Sequence, residues 1–391
     1  MHESRRALDH MTRMLATSPD FLDPADGEAA PLPRRAAVDC PDAWRSDTPA
    51  ATYARSIENY VGEIRLPVGV AGPVRVSGTH ARGDYAVPLV TTEAALVASH
   101  DRGMRLINAG GGARAAVLAE GVTRAPGLSF ESMADAGRFL GWLLPRTDEL
   151  KRAAEATTRH GRLTEVRVHV EANHVYVLMH YTTGDAAGQN MTTFATQAAL
   201  DWILAGTPVT PTGAYVEANF SGDKKASLLS MLSVRGRKVS AECVVPGRWL
   251  RKMTRCSAED MRRYWDLGAG GAAASGTVGV QGQYANGLAA LYLATGQDVA
   301  CVAESAVGRT RMECRGDDLY ACVTLPNLIV GTVGGGTSLP SAAAGLGLLG
   351  VKSANELAEV AAAVALAGEL SIVGALASGE FAAAHRDRAR A

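Results

Sequence analysis

Two adjacent lysines, Lys224 and Lys225, are the residues of this sequence whose type and place most suggest chemistry. They follow Asp223 in a chain that contains only six lysines. The residues from Ala226 to Leu232 favour the start of a helix, where a cation opposes the helix dipole. A lysine ammonium is a compact charge with a tunable pKa, which suits it to bind an oxyanion or to move a proton. The pair therefore indicates a functional role for a primary ammonium.

Three other titratable residues have an ordinary structural explanation when each is taken alone. Glu93 begins a predicted helix, where the dipole favours a solvated acid. Asp298 follows Gly-Gln in a turn at the end of another predicted helix. His385 lies on a short basic tail and is typical of an exposed surface. None of the three predicts an active site without the others.

Two glycine-bearing segments, residues 184–191 and 331–337, lie between a predicted strand and a predicted helix. Such turns allow the backbone to approach a phosphate or a cofactor closely. Neither segment has the spacing of the dinucleotide-binding fingerprint, so each is weak support by itself.

Composition limits the class of protein. The chain has 391 residues and 40.8 kDa, is 47% apolar and 20% charged, and carries a formal net charge of −1. These values are typical of a soluble globular protein with two or more domains and no general attraction to nucleic acid or membrane. The six cysteines have no metal-binding spacing, which predicts free thiols in a reducing cytoplasm and no metal site. The uncharged stretch 319–351 contains prolines and many glycines, which favour strand, turn and helix over a membrane span.

The pattern of elements predicts an α+β fold. Residues 56–76, 164–171, 174–182 and 238–245 are strand-like, and the predicted helices cover 91–107, 132–144, 148–157, 191–204, 258–267, 282–295, 339–349 and 354–377. Residues 1–55 are predicted to form an N-terminal helical arm. Residues 56–125 and 215–378 then form a large domain, 126–214 an inserted small domain, and 379–391 a C-terminal tail.

Taken in order, these motifs resemble one family. The segments that carry the resemblance are Glu-Asn-Tyr-Val-Gly at 58–62, Pro-Val-Gly-Val-Ala-Gly-Pro at 67–73, Thr-Thr-Glu at 91–93, Gly-Asp-Ala-Ala-Gly-Gln-Asn-Met at 184–191, Asp-Lys-Lys at 223–225, Gly-Gln-Asp at 296–298, the glycine loop 331–337 and the terminal His385. Together they resemble 3-hydroxy-3-methylglutaryl-coenzyme A reductase from about residue 58 to residue 385. The segment 158–163 resembles the NADPH-using, eukaryote-like class of that family.

The resemblance implies a reaction and four catalytic residues. The family reduces a thioester to a primary alcohol by two hydride transfers, through a hemithioacetal and an aldehyde. Lys224 would stabilise the oxyanion, and Asp298 would orient Lys224 and balance its charge. Glu93 would be a protonated general acid, which requires a pKa raised by burial or by a neighbouring acid such as Asp298. His385 would protonate the coenzyme A thiolate.

The resemblance also implies binding residues for coenzyme A and for NADPH. The predicted coenzyme A contacts are Glu58, Asn59, Ser99 and Arg102. The predicted cofactor-binding residues are Thr158, Arg159, Asp185, Asn190, Gly334 and Gly335. An arginine at 159 favours NADPH because its guanidinium can hold the 2′-phosphate bidentately. The inserted domain that carries these cofactor residues is expected to be ferredoxin-like.

A cytoplasmic homodimer or dimer of dimers, with the active site at the subunit interface, is the assembly that the resemblance implies. Its ligand would be an acyl-CoA substrate, and neither nucleic acid nor membrane would be a partner.

The acyl-binding pocket departs from the family's pattern. Arg124, Asp223, Lys225 and Asn286 keep their expected types. The position of a serine that binds the substrate carboxylate holds Glu217, and that of a lysine holds Asp266. The position of a histidine holds Gln283. Two acids facing a carboxylate would cost several kcal/mol, since unit charges ~4 Å apart interact by about 4 kcal/mol at an effective dielectric of about 20.

Three functions remain open at this point. The first is an NADPH-dependent reductase of hydroxymethylglutaryl-CoA that forms mevalonate. The second is a paralogous reductase of another acyl thioester with a neutral or cationic acyl end. The third is a homologue that binds nucleotide or coenzyme A without catalysis. Three explanations are also open for Glu217 and Asp266. They pair with arginines such as Arg262 and Arg263, or the ungapped alignment with the family shifts locally, or the substrate differs.

Overall fold

The structure is a computed structural model that describes residue 42 and residues 45–53 and 56–381. The chain divides into two compact units, Met1–Ala50 with Asn59–Ile64 and Ala51–Glu58 with Arg65–Ala391. The strands and α-helices named below all belong to the second unit. Most of the predicted N-terminal arm, and the end of the C-terminal tail with His385, lie outside the described residues.

Ten strands occur in the described part of the chain. They are β1 Val68–Gly78, β2 Arg82–Val90, β3 Ala113–Arg124, β4 Gly127–Ser129, β5 Arg162–Glu171, β6 His174–Thr182, β7 Gly213–Tyr215, β8 Gly236–Val245, β9 Arg309–Arg315 and β10 Asp318–Leu328. They form one sheet with the path β7-β4-β6-β3-β8-β10-β9, to which β1, β2 and β5 are added at the sides. All pairings are antiparallel except that of β1 with β3.

Eleven α-helices accompany the sheet within the described residues. They are α1 Leu96–Ala109, α2 Met133–Leu143, α3 Thr147–Glu155, α4 Gln189–Gly206, α5 Leu228–Leu232, α6 Gly247–Thr254, α7 Ala258–Ser275, α8 Tyr284–Thr295, α9 Val302–Ser305, α10 Pro340–Leu349 and α11 Ala354–Ala377. Short 3₁₀ turns at Val299–Cys301 and Gly335–Ser338 carry or adjoin predicted site residues. The mixture of helix and sheet confirms the predicted α+β class.

Helix α11 is the centre of the main hydrophobic core. Nearly all of its side chains from Ala354 to Ala375 are buried, and the helix packs on α1, α8 and the inner face of β8. In β8 the residues Val239, Ala241, Cys243 and Val245 are buried at every second position, as a strand with one covered face requires. Among the described helices, α11 alone is long and apolar enough to cross a membrane, but 83% of that window is buried inside the protein.

A second hydrophobic cluster lies between residues 128 and 203. Its members come from β4, α2, α3, β5, β6 and α4, and they include Phe130, Phe139, Tyr181 and Ile203. The cluster falls within the predicted inserted domain, although β6 continues the sheet through β3 into the rest of the fold. The boundaries at 126 and 214, and the ferredoxin-like description, stay predictions.

Three element boundaries differ from the sequence prediction by more than two residues. The first strand begins at Val68 rather than at residue 56. Helix α1 begins at Leu96 rather than at Thr91, because Ala95 has a left-handed backbone (φ 70°) that interrupts helical geometry. Helix α7 continues to Ser275 rather than ending at residue 267, and Gly276 then ends it with a φ of 76°.

Candidate active site

Lys224 lies in a loop between β7 and α5 and makes an ion pair with Asp298. The distance from Lys224 Nζ to Asp298 Oδ2 is 2.9 Å, and both side chains are a little under half exposed. Lys224 has a left-handed backbone (φ 55°), which is uncommon outside glycine and often marks a functional position. Helix α5 begins only at Leu228, with Ser227 as its cap, so the lysines precede the helix by several residues.

Asp298 is held by the turn that follows α8. Gly296 ends α8 with a left-handed φ of 67°, and Asp298 Oδ1 accepts the backbone N–H of Ala300 at 3.0 Å. Oδ2 is thereby left to face Lys224. The hydrogen bond with Asp298 raises the pKa of Lys224, so this lysine is a cation at neutral pH. The pair can present an N–H donor with positive charge to a developing oxyanion.

Asp223 connects two arginines behind the lysine. Its Oδ2 accepts from Arg124 Nη1 at 2.6 Å, and its Oδ1 accepts from Arg235 Nη2. Burial opposes ionisation of Asp223, but Arg235 and Arg124 outweigh it and hold the pKa of the carboxyl below its ordinary value. Arg235 is 1% exposed and also contacts Glu304, whose pKa is raised by burial. Asp223 is therefore a charged, rigid support for the loop that carries Lys224.

Glu217 faces Arg124, as does Asp223. Its Oε2 is 3.7 Å from Arg124 Nη1 and accepts the backbone N–H of Ala125 at 3.4 Å. Its Oε1 is buried without a hydrogen-bond partner within the described residues. A carboxylate of the chain itself thus lies beside the arginine that the resemblance assigns to a substrate carboxylate.

Asp266 has a different environment. It lies on α7 with a side chain 58% exposed, and Arg262, one helical turn earlier, is its ion-pair partner. Arg262 also binds Glu259 at 3.0 Å. The structure therefore pairs Asp266 with one of the two arginines named from the sequence and gives it no described contact with Arg124 or Lys225. Lys225 donates to the backbone oxygen of Asp223 at 3.0 Å.

Glu93 lies in a separate cleft of about 180 Å³. The same cleft is lined by Gln283 and Asn286, at the start of α8, and by Ser99 and Arg102 of α1. Glu93 is exposed, and its backbone N–H donates to Thr91 Oγ1 at 2.9 Å. No hydrogen bond or ion pair of the described chain joins it to Lys224 or Asp298, so one chain does not supply the acidic neighbour expected for Glu93.

The predicted coenzyme A residues fall in two places. Ser99 Oγ lies 2.8 Å from Ser371 Oγ, and Arg102 donates to the same hydroxyl at 2.9 Å, so both lie against α11. Glu58 and Asn59 are exposed, and Asn59 has a left-handed φ of 57°.

The predicted cofactor residues lie partly together. The loops 184–191 and 331–337 meet through a bridge between Ala186 and Val333, and Thr332 N donates to Asp185 O at 2.8 Å. The Asp185 carboxylate accepts the backbone N–H of Ala354 at 2.9 Å. Asn190 is exposed in the first turn of α4. Arg159 is also exposed, in the loop between α3 and β5.

Three supporting residues were missed by the sequence prediction. Arg235 supports Asp223. Gln189 donates to Cys301 Sγ at 2.8 Å, reaches Asp298 Oδ2 at 3.4 Å and accepts from Arg235. Glu369 of α11, which is 0% exposed, accepts the backbone N–H groups of Gly282 and Gln283. The sequence signal for Glu369 was an acid within the most apolar part of a predicted helix, where a buried carboxylate needs hydrogen-bond donors.

The comparisons with known proteins identify the family. The family model for hydroxymethylglutaryl-coenzyme A reductase matches residues 41–390. The chain is 41% identical over 342 residues to the 3-hydroxy-3-methylglutaryl-coenzyme A reductase of Aeropyrum pernix, over 85% of this chain and 81% of that protein. It is 39% identical over 381 residues to the protein of the same name from Haloferax volcanii, over 94% of each.

A solved structure has the same fold. It is the class II 3-hydroxy-3-methylglutaryl-CoA reductase from Streptococcus pneumoniae bound to NADPH, with a TM-score of 0.68 and 23% identity over 83% of this chain and 89% of that one. The chain is thus an oxidoreductase by its sequence relatives. It belongs to the hydroxymethylglutaryl-coenzyme A reductase family.

Proposed function

We propose that this protein reduces the thioester of 3-hydroxy-3-methylglutaryl-CoA to the alcohol of mevalonate, with NADPH as the reductant. The observation that carries the proposal is the ion pair of Lys224 with Asp298 at 2.9 Å. A carbonyl oxygen gains negative charge in each of the two reduction steps, and the pair provides the donor that such an oxygen requires.

NADPH fits the backbone of the two glycine-bearing loops. Gly188 begins α4 with no side-chain cap, which leaves backbone N–H donors for an anionic group. Gly334 and Gly335 have left-handed φ values and open space where a Cβ would point. Asp185, Asn190, Gly334 and Gly335 would hold the nicotinamide half, and Thr158 and Arg159 the 2′-phosphate. Two NADPH molecules, bound one after the other, would each supply one hydride of the four-electron reduction.

Lys224 would bind the substrate oxygen in both steps. Its raised pKa keeps it protonated, so it acts through charge and hydrogen bonding, worth roughly 3–4 kcal/mol for a well-aimed donor. Asp298 orients the ammonium through their ion pair. Gln189 limits the movement of Asp298, because it contacts both that carboxylate and Cys301.

Glu93 and Lys224 would meet across two subunits. Within one chain Glu93 lies in the cleft of Gln283 and Asn286, which has no described contact with the Lys224 loop. A homodimer that placed this cleft against the Lys224 loop of its partner would complete the site. Glu93 would then act as the general acid for the alkoxide.

His385 would protonate the leaving coenzyme A thiolate. Phe381 lines the cleft of Glu93, and His385 follows it by four residues, outside the described part of the chain. A thiol has a pKa near ~8.5, so an imidazolium can donate to its thiolate favourably.

One observation favours a second candidate function. Glu217 lies 3.7 Å from Arg124, where a substrate carboxylate is expected, and repels a second carboxylate there. A reductase for an acyl thioester with a neutral or cationic end would not meet this repulsion. In the first candidate, Glu217 must move aside when the substrate binds.

Steady-state kinetics with two matched thioesters decide between these candidates. NADPH oxidation is measured with hydroxymethylglutaryl-CoA and with 3-hydroxy-3-methylbutyryl-CoA, which lacks only the distal carboxylate. Mevalonate formation with a higher kcat/KM for the first thioester supports the proposal. A higher kcat/KM for the neutral thioester supports the paralogue, and no turnover of either thioester, with NADPH still bound, contradicts both.

We further propose a cytoplasmic homodimer or dimer of dimers. The two groups of catalytic residues in one chain support a shared site, since each group is incomplete alone. Light scattering after size-exclusion chromatography tests the assembly, and a monomer that retains full activity at low concentration would contradict it.

A further inference from the structure

A buried histidine, His100, lines the cleft of Glu93. It lies on α1 and is 1% exposed. Its Nδ1 is 2.9 Å from the carbonyl oxygen of Leu96, one helical turn earlier, so Nδ1 carries the hydrogen and donates it. Nε2 then has a free lone pair, and this atom has no hydrogen-bond partner among the described residues. Burial lowers the pKa of the imidazole, which keeps Nε2 an acceptor at neutral pH.

Two glycines make the space that the imidazole occupies. A Cβ at Gly287 of α8 would lie 2.5 Å from His100 Nε2, and a Cβ at Gly368 of α11 would lie 2.9 Å from the same atom. The Cβ at Gly368 would also lie 1.8 Å from the side-chain nitrogen of Gln283. The unpaired acceptor of His100 and the amide donor of Gln283 therefore flank the same α-carbon of α11.

The backbone of Gln283 is fixed, and its side-chain nitrogen lies beside Gly368, as does Nε2 of His100. The Glu369 carboxylate accepts the N–H of Gln283 at 2.7 Å and that of Gly282 at 2.8 Å. The same carboxylate accepts the hydroxyl of Thr310 at 2.7 Å. With the backbone held in this way, the orientation of the Gln283 amide depends on what its two ends contact.

We propose that His100 is a positioning residue that determines which end of the Gln283 amide faces the acyl group. His100 Nε2 has no partner among the described residues, so a rotation of the Gln283 side chain on substrate binding would let it accept a hydrogen from the Gln283 amide nitrogen. The amide oxygen of Gln283 would then face the cleft. An oxygen in that place accepts a hydrogen from a hydroxyl group and repels a carboxylate. The pair of His100 and Gln283 thereby selects acyl groups that carry a hydroxyl. The identity of the substrate in this inference rests on the proposed function.

Two thioesters that differ only in the hydroxyl test this selection. Hydroxymethylglutaryl-CoA and 3-methylglutaryl-CoA are compared in the wild type, in His100→Leu and in His100→Asn, whose amide oxygen retains an acceptor. The wild type should prefer the hydroxylated thioester by about 5- to 10-fold in kcat/KM, the worth of one hydrogen bond. His100→Leu should remove that preference through KM while changing turnover of 3-methylglutaryl-CoA by about twofold or less, and His100→Asn should restore part of it.

An equal loss for both thioesters in His100→Leu would overturn the inference, because a structural defect would not distinguish them. The binding of both thioesters is measured by calorimetry in parallel. If the wild type binds the hydroxylated thioester more tightly but turns over neither thioester, only the proposed function is contradicted. If the wild type binds the two thioesters equally, this inference is contradicted.

Nitrogen NMR of protein labelled at histidine tests the contact without activity. His100 should show the Nδ1–H tautomer, and Gln283→Leu should shift the Nε2 resonance of His100 while leaving that of His180, another buried histidine, in place. An Nε2–H tautomer, or an Nε2 resonance that Gln283→Leu does not move, would contradict the proposed hydrogen bond.

Discussion

Lys224 differs from the other lysines of the chain in having a left-handed backbone and a carboxylate partner at 2.9 Å. We expect Lys224→Ala to lower kcat by roughly 10²–10³-fold, because the oxyanion loses its charged donor. Asp298→Asn should have a smaller effect, since the ammonium remains but is less well oriented. Lys252→Ala is the matched control, because Lys252 lies over the ring of Trp249 on α6. Loss of activity in the control, or a KM effect alone for Lys224→Ala, would argue against the assigned role.

Glu217 determines how an acidic acyl group meets Arg124. We expect Glu217→Ser to lower KM for hydroxymethylglutaryl-CoA by about tenfold or more, because a like charge within ~4 Å is removed. The value of kcat should change little. Asp266→Asn serves as the control, since Asp266 is exposed and paired with Arg262, and its effect should stay within about twofold. An unchanged KM in Glu217→Ser would mean that the carboxylate does not face the bound substrate.

The buried imidazole of His100 also predicts a pH dependence of stability. Its folded-state pKa is lowered by burial from an ordinary value near ~6.5. Above that pH both states are neutral; below it the unfolded chain takes up a proton that the folded protein does not. Stability should therefore fall as the pH falls below about 6.5, by up to about 1.4 kcal/mol per pH unit for this residue. Urea unfolding at pH 7.5 and 5.5 should show a smaller loss for His100→Asn than for the wild type.

At the level of single residues, the sequence could predict a functional role for residues whose type is uncommon at their position. The Asp-Lys-Lys segment and Asp298 could be named because family motifs carry them, and the structure brings Lys224 and Asp298 together. Arg235 and Gln189 could not be named, because their importance comes from contacts made by the folded chain: Arg235 is 12 positions from Asp223 and 46 positions from Gln189. The pairing of Asp266 with Arg262 could be named as one of several alternatives, because both residues lie within the predicted helix 258–267, one turn apart.

At the level of elements, two acids of α11 perform parallel tasks at separate places. Glu369 holds the turn before α8, and Glu359 holds the turn between β1 and β2 through the N–H groups of His80 and Ala81 at 2.9 and 2.7 Å. Both carboxylates are fully buried. Only the first adjoins the candidate active site.

This pair gives a matched experiment. Glu369→Gln and Glu359→Gln should each lower the free energy of unfolding by about 1–3 kcal/mol, because an amide NH₂ faces backbone donors. Only Glu369→Gln should also lower kcat/KM, by roughly tenfold, since the Gln283 backbone shifts. Chemical denaturation and kinetics measure the two effects, and equal activities of the two variants would separate Glu369 from the site.

Long periodic elements were predicted best. The strand 174–182 and the helix 354–377 have the predicted bounds, because their apolar patterns are continuous and their ends carry turn residues. The start of α1 was wrong because Thr-Thr-Glu is typical of a helix cap, whereas the backbone turns once more at Ala95. The end of α7 was wrong because Gly268, Gly270 and Gly271 lower helix propensity, yet the helix continues through them.

At the level of the whole molecule, the two groups of catalytic residues predict complementation between subunits. Glu93→Ala and Lys224→Ala should each be inactive alone. If they are unfolded and refolded together, the mixed dimers should regain up to about a quarter of the wild-type activity, since half the dimers would have one intact site of two. Glu93→Ala mixed with Asp298→Ala should behave in the same way, whereas Lys224→Ala mixed with Asp298→Ala should not. Equal recovery in both kinds of mixture would contradict a shared site.

The central position of α11 has a consequence for how the protein could adapt to other substrates. Its amide hydrogens should exchange with solvent only when the whole core opens. The part of α11 that contacts Ser99, Arg102 and Gln283, which is formed by Gly368, Glu369 and Ser371, therefore moves very little on the time scale of turnover. Glu217 and the turn that carries Glu93 differ from α11, because neither is part of a helix. A change of acyl specificity would therefore arise from substitutions near Glu217 and Glu93, while the slowly exchanging helix α11 preserves the geometry of the reaction.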